Sequence, residues 1–329
     1  MKKHNFVADF NPVWWARNPH VQTILPVLTK IPSPKLTRQR LELDDGDFID
    51  LDWLKKPEEN QPIVVIVHGL EGSSQSHYAR RILADCQQQN IAAVVHHHRG
   101  CSGEHNRLAR SYHSGDTVDL KITLKLLKDT YPSSPIWAVG YSLGGNVLAK
   151  YQGEEAEKSL IKRCVIVSAP LQLDACAKRL EKGFSKVYQS YLIKQLQVKV
   201  KAKATDPSMS QSISVQANEV AAMNTFYKMD NMYTAPMHGY LDVHDYYRRA
   251  SGKQFLMAIT NPTLIIHAQD DPFMNDDVIP SNNQVSSAVK YELHQRGGHV
   301  GFIESGTPWK PKYYLEKRIL NFLQGSVSC

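Results

Sequence analysis

The run Ile63-Val64-Val65-Ile66-Val67 constrains the fold more than any other stretch of the sequence. Five consecutive β-branched residues form a strand that is apolar on both faces, and both faces must then be covered. Strands of that kind belong to parallel sheets lying between two layers of helices. Four further runs have the same texture: Ala92-Ala93-Val94-Val95, Ile136-Trp137-Ala138-Val139, Cys164-Val165-Ile166-Val167 and Thr263-Leu264-Ile265-Ile266. Helix-like stretches lie between them, at 79–89 and at 117–130, where Leu120, Leu124 and Leu127 recur at helical spacing. Strands alternating with helices imply right-handed crossovers and one doubly wound, mostly parallel sheet, an α/β fold.

The flanks have other textures. Residues 1–37, rich in proline and carrying Trp14 and Trp15, read as an irregular arm with one short helix. Residues 38–54 alternate polar and apolar on both sides of Asp45-Gly46, which predicts a β-hairpin. Between about 172 and 255 the strand pattern stops and the chain reads as helices, which predicts a helical cap inserted between sheet strands of a single domain spanning 1–329. Val198-Lys199-Val200-Lys201-Ala202-Lys203 alternates like a strand, but neighbouring Leu192 and Leu196 favour a helix end. The basic residues of this block read most simply as a solvated face, with peripheral membrane contact as the functional alternative.

Charge narrows the partners only a little. The 329-residue chain has 39 basic and 32 acidic residues, a net charge of +7. No like-charge run, zinc-finger spacing or Gly-rich phosphate loop points to nucleic acid. Cys86, Cys101, Cys164, Cys176 and Cys329 are scattered singly, which fits a reduced, cytoplasmic protein better than a disulfide framework. No prenylation is expected at Cys329, which has no three residues after it in this sequence. Met1-Lys2-Lys3-His4 is not followed by an apolar stretch, and no segment has the roughly 20 apolar residues of a membrane span.

The chemistry starts at Gly140-Tyr141-Ser142-Leu143-Gly144, between the apolar strand at 136–139 and a helix-like stretch. Glycines two before and two after a serine let strand and helix approach closely and expose the hydroxyl on a tight turn. Such a serine needs a base and an orienting acid, which follow it in the order acid, then histidine. Past the strand Thr263-Leu264-Ile265-Ile266 come Asp270 and Asp271. Asp271, in the turn opened by Pro272, is the expected acid, and Asp270 is the alternative. Past the next strand, Val289-Lys290-Tyr291-Glu292-Leu293, comes His299 within Gly297-Gly298-His299-Val300-Gly301. We expect His299 as the base, on a loop that its glycines make flexible enough to bring the ring to Ser142. A tetrahedral oxyanion needs two N–H donors, expected from Leu143 and from Leu70 in His68-Gly69-Leu70-Glu71-Gly72.

Two other features compete for attention. His96-His97-His98 looks like a metal tract, but consecutive strand residues point to opposite faces, so no metal site is expected. Cys101, within Arg99-Gly100-Cys101-Ser102-Gly103-Glu104, has no base partner in the sequence and reads as part of a structured loop.

These motifs together resemble the YheT-like, or AB-hydrolase-4, branch of the α/β-hydrolase superfamily. The matching pieces also include Asn18-Pro19-His20-Val21-Gln22-Thr23, Tyr112-His113-Ser114-Gly115-Asp116-Thr117 and Tyr233-Thr234-Ala235-Pro236, so they run nearly the full length. The resemblance implies an α/β-hydrolase fold, a Ser142, Asp271 and His299 triad, and a carboxylic-ester hydrolase without cofactor. It implies a small-molecule or lipid-like acyl ester as substrate. Two other readings stay open: an acyltransferase passing the acyl group to an alcohol, and a non-catalytic binding protein on the same fold.

Overall fold

The structure, a computed structural model, describes residues 10–325. The N-terminal basic residues and Cys329 considered above lie outside them. Eight strands form one sheet: β1 (Thr37–Glu42), β2 (Phe48–Lys55), β3 (Ile63–Val67), β4 (Ala92–His96), β5 (Ile136–Tyr141), β6 (Ile161–Val167), β7 (Thr263–Ala268) and β8 (Val289–His294). Their order is β1-β2-β4-β3-β5-β6-β7-β8. The β1/β2 and β2/β4 pairs are antiparallel, and every pair from β4 to β8 is parallel. All six runs read as strands therefore lie in the sheet, and the Asp45-Gly46 hairpin is β1–β2.

Each central strand divides its side chains between two cores, which is why its sequence is apolar throughout. Ile63, Val65 and Val67 point into one core, with Leu120, Leu124 and Leu127 of α3 (Val118–Thr130) and Val147 and Leu148 of α4 (Leu143–Glu155). Val64 and Ile66 point into the other, with Ile82 and Leu83 of α2 (His77–Gln88) and Ile319 and Leu323 of the final helix, Leu315–Leu323. Fully burying one such side chain contributes roughly 1.5–3 kcal/mol, so the strand run is a large part of the fold's stability.

The winding reverses between β3 and β5, which are neighbours although the chain visits β4 between them. The loops after β3 and β5 leave in opposite directions there and open a crevice at the carboxyl edge of the sheet. Ser142 follows β5, and Leu70 follows β3. Between β6 and β7 the described chain is helical. Its main elements are α5 (Leu173–Leu180), α6 (Ser185–Thr205), short turns at 220–237 and a helix at Val243–Ala250. Val198 to Lys203 lies inside α6 and is not a strand.

The hairpin carries one feature that the alternation does not state. Its polar residues Asp50 and Asp52 are buried instead of facing water. Asp52 accepts from Arg38 Nε (2.8 Å) and Ser74 Oγ (2.7 Å) and bonds His97 Nε2 (2.8 Å). Burial opposes its charge, yet the bonds from His97 and Arg38 hold the carboxyl well below the usual range. The three histidines have separate partners: His96 bonds Thr123 Oγ1, His97 bonds Asp52, and the His98 N–H donates to His68 Nε2. Only His96 is in a strand; His97 and His98 lie in the loop beyond it.

Arg99 in the same loop is the hub of a buried ion network. It bonds Asp119 through Nε (2.7 Å) and Nη2 (2.8 Å), and through Nη1 it reaches Asp45 (2.7 Å) and Asp47 (3.0 Å). Removing the cation would leave Asp47 and Asp119 buried without a counter-charge. Arg99→Met should therefore cost about 3–5 kcal/mol in urea unfolding at neutral pH. A loss below about 1 kcal/mol would show that the network is not structural.

Candidate active site

Ser142 has φ 51° and ψ −120°, a region that L residues rarely adopt. Two glycines make that turn possible. A Cβ on Gly140 would lie 2.5 Å from the Gly144 carbonyl oxygen, and one on Gly144 would lie 2.3 Å from the Val67 oxygen. Helix α4 thus starts almost in contact with the end of β3, and its first turn lies directly behind the serine. The Ser142 N–H donates to Val167 O at 2.9 Å, extending the sheet pairing through the turn.

The expected base and acid both reach the serine. His299 Nε2 lies 3.0 Å from Ser142 Oγ, and its Nδ1 lies 2.8 Å from Asp271 Oδ2. An ionised Asp271 can only accept, so Nδ1 carries the proton and Nε2 is left to accept from the hydroxyl. The second oxygen of Asp271 accepts the Phe273 N–H at 2.9 Å, which fixes the carboxylate plane. Phe273 stacks on the imidazole at 4.0 Å between centroids and 15° between planes. Asp270 turns elsewhere: its Oδ1 accepts the Gly298 N–H at 2.9 Å, so it braces the histidine loop. Burial raises the Asp270 carboxyl to about 6.

The glycines around His299 serve close packing and not mobility, which corrects the expectation of a flexible loop. Helix α1 (Pro19–Leu28) lies against them. A Cβ on Gly301 would meet the Gln22 oxygen at 2.2 Å, and one on Gly298 would meet the Pro19 oxygen at 2.7 Å. The His299 N–H donates to Thr23 Oγ1 (3.0 Å), and the Val300 N–H donates to Ser168 Oγ (3.2 Å). Fully buried Gln22 bonds both backbone groups of Ile303. Asn18 caps the helix by accepting from the His20 and Val21 amides, with Pro19 at the first helical position. The segment from Asn18 to Thr23 is thus the clamp on the histidine loop. In the sequence this segment stood out only as a piece of the family resemblance, and its target was not visible.

Leu70 is also held from both sides. The Gly69 N–H donates to Tyr78 Oη (2.9 Å), and the Glu71 N–H donates to Tyr112 Oη (2.8 Å). Tyr112 in turn donates to Glu71 Oε1 (2.7 Å), and Lys199 of α6 pairs with Glu71 Oε2 at 2.7 Å. Leu70 and Leu143 both line the cavity that holds Ser142 and His299. Spacing could not have found Tyr78, Tyr112 or Lys199, which come from three separate elements. Asn146 is another such residue: buried one turn into α4, it donates to Ser114 O and Ala250 O and accepts from Gly252 N–H.

The cavity over Ser142 is walled by the helical segment between β6 and β7, through Leu173, Ala177, Leu196, Phe226 and Met229. Cys101 is buried, and burial pushes its thiol up to about 12, so it is no nucleophile near neutrality. Among the described residues, no three His, Cys, Asp or Glu side chains are grouped to hold a metal ion, and no helix is long and apolar enough to cross a membrane.

A serine on a positive-φ strand-to-helix turn, joined to an imidazole and a carboxylate from later loops of a parallel sheet, is the arrangement of esterase-type α/β hydrolases. The family model for the alpha/beta hydrolase fold matches residues 62–306, and the chain belongs to that family, in its YheT-like branch. The protein named "Putative esterase YheT", from Escherichia coli (strain K12), is 44% identical over 321 residues, covering 96% of this chain and 93% of its own length. Phospholipase ABHD3 of Homo sapiens is 27% identical over 328 residues, 97% of this chain and 79% of its own. Among solved structures, the Pyrococcus furiosus esterase Pf2001 superposes with a TM-score of 0.55 over 98% of this chain and 99% of its own. At 18% identity, that likeness shows the fold alone.

Two substitutions test this architecture. Gly144→Ala places a methyl group against backbone oxygens that cannot rotate away, and should cost about 1–3 kcal/mol or more in urea unfolding; an unchanged midpoint would contradict the close approach. Asp270 loses its proton at about 6 in the folded chain, against an ordinary value of 3.8. Between those values the native state holds more protons than the unfolded chain, so this group lowers stability as pH rises from about 4 to 6. Asp270→Asn, which can still accept from Gly298, should make the pH dependence of the melting temperature measurably less negative across that window. An unaltered profile would show that Asp270 is not proton-linked to folding.

Proposed function

We propose that the chain is a serine carboxylic-ester hydrolase working through Ser142, His299 and Asp271. The observation that supports this most is the continuous hydrogen-bonded chain from Ser142 Oγ through both ring nitrogens of His299 to Asp271. As Ser142 Oγ attacks the ester carbon, Nε2 takes its proton, and Asp271 stabilises the imidazolium while holding the tautomer. The carbonyl oxygen becomes an oxyanion, for which the Leu70 and Leu143 amides are the donors. Collapse of the tetrahedral species breaks the ester C–O bond, with His299 protonating the leaving alcohol. Water, deprotonated by His299, then attacks the acyl carbon; collapse breaks the bond to Ser142 Oγ, which takes the proton back from His299 as the acid leaves.

The helical segment acts in this reading as a cap on a single domain. Its apolar wall takes the acyl group, and its Lys199 holds the Leu70 loop through Glu71. The carboxylesterase specificity and the acyl-enzyme are our assignments, consistent with relatives named as an esterase and a phospholipase. The four described cysteines, all free and buried, suit the cytoplasmic setting expected for the protein.

A graded series of p-nitrophenyl esters tests the assignment. Ser142→Ala and His299→Ala should each lower kcat by about 10⁴-fold or more, with little change in melting temperature. Retained turnover in His299→Ala would show that another group is the base. The absence of hydrolysis for every ester in the wild-type protein would overturn the reading.

A further inference from the structure

Helix α6 is apolar on two sides. Its inner side buries Ile193 and Val200. Phe184, just before it, begins a second series with Val187, Tyr191 and Val198, which follow at intervals of three, four and seven residues. They therefore share one face. That face is in solvent: Tyr191 is 66% exposed and Val198 64%. A helix on the outside of a globular protein needs one apolar stripe, and a second one is uncompensated unless something covers it.

Two further observations say what covers it. The first is charge: the 21 residues of α6 include five lysines and no Asp or Glu. Lys199 and Lys203 turn inward, to Glu71 and to the backbone oxygens of Leu108 and Arg110. Lys194 and Lys201 remain exposed beside the stripe, and Lys186 is exposed at the start of the helix. The second is continuity. Across a groove from Val187 and Tyr191 lie Val27 and Leu28 at the end of α1, with Leu28 71% exposed, and the floor of that groove is Ser142 and His299. Exposed apolar residues therefore flank two sides of a groove that reaches Ser142 and His299.

We propose that these residues dock the protein on a lipid surface bearing anionic headgroups. The aliphatic and aromatic side chains enter the headgroup boundary, and the flanking lysines meet the negative charge. A second copy of the chain fits less well, because it would bring two lysine-flanked stripes together without a carboxylate between them. The docked groove opens toward the lipid, and the docking does not rest on the esterase reading.

The test is co-sedimentation of the full-length protein with phosphatidylcholine vesicles, with and without phosphatidylglycerol. Binding should require phosphatidylglycerol and weaken as salt is raised. The triple variant Lys194→Glu, Val198→Asp, Lys201→Glu should bind about tenfold more weakly or worse. None of its positions lines the groove or the inner cavity, so hydrolysis of a water-soluble p-nitrophenyl ester should be unchanged. Leu28→Asp, on the other side of the groove, should also weaken binding, and Ser142→Ala should bind like the wild type. Wild-type protein that ignores the anionic vesicles, or a triple variant that binds them equally well, would overturn the proposal. So would a concentration-dependent dimer, abolished by the triple variant, in protein that binds no vesicles. Vesicle binding without hydrolysis of any ester would sink the esterase reading and leave the docking standing.

Discussion

The backbone of Ser142 sits in a conformation that costs of order 1–3 kcal/mol for a residue with a Cβ, and the surrounding structure is arranged to hold it there. The turn is closed from below by the contact of Gly144 with the carbonyl oxygens of Val67 and His68. It is extended from the side by the hydrogen bond to Val167. That contact forces α4 to start where β3 ends, so the hydroxyl and the Leu70 loop share one crevice. Without it, β3 and β5 would still pair, but the serine and the loop would not face one another.

The other half of the site depends on a comparable closeness at the opposite end of the chain. Helix α1 presses its backbone into the glycines around His299, and Thr23 takes the histidine's own amide. The imidazole is therefore positioned by both termini of the fold: an acid after β7, a loop after β8 and a helix from before β1. Asp270 and Asp271 show how adjacent carboxylates divide labour under these conditions. One is aimed at the ring, and the other is spent on the backbone that carries the ring.

Much of this was legible in the sequence because it is local. The strand runs state their own burial, and a serine between two spaced glycines after such a run states its turn. Ser142 and His299 follow from the order of motifs on the expected sheet, and so does an acid at 270–271, but the choice between Asp270 and Asp271 needs the loop's register. What was not legible is non-local. Asp50 and Asp52 alternate like solvent-facing strand residues, yet their partners Arg38, Arg40 and His97 bury them. The glycines near His299 suggest mobility until the helix that fills their missing side chains is seen. Tyr78 and Tyr112, which grip the loop around Leu70, are 34 positions apart (112 − 78), and only the folded chain brings them together.

The central claim is that Ser142 is a nucleophile activated by His299. The most direct measurement is labelling of the folded protein with a fluorophosphonate, followed by mass analysis of its peptides. One adduct per chain is expected, on Ser142, and it should be lost in His299→Ala protein that remains folded. An adduct on another residue, or labelling of Ser142 that is indifferent to His299, would contradict that claim.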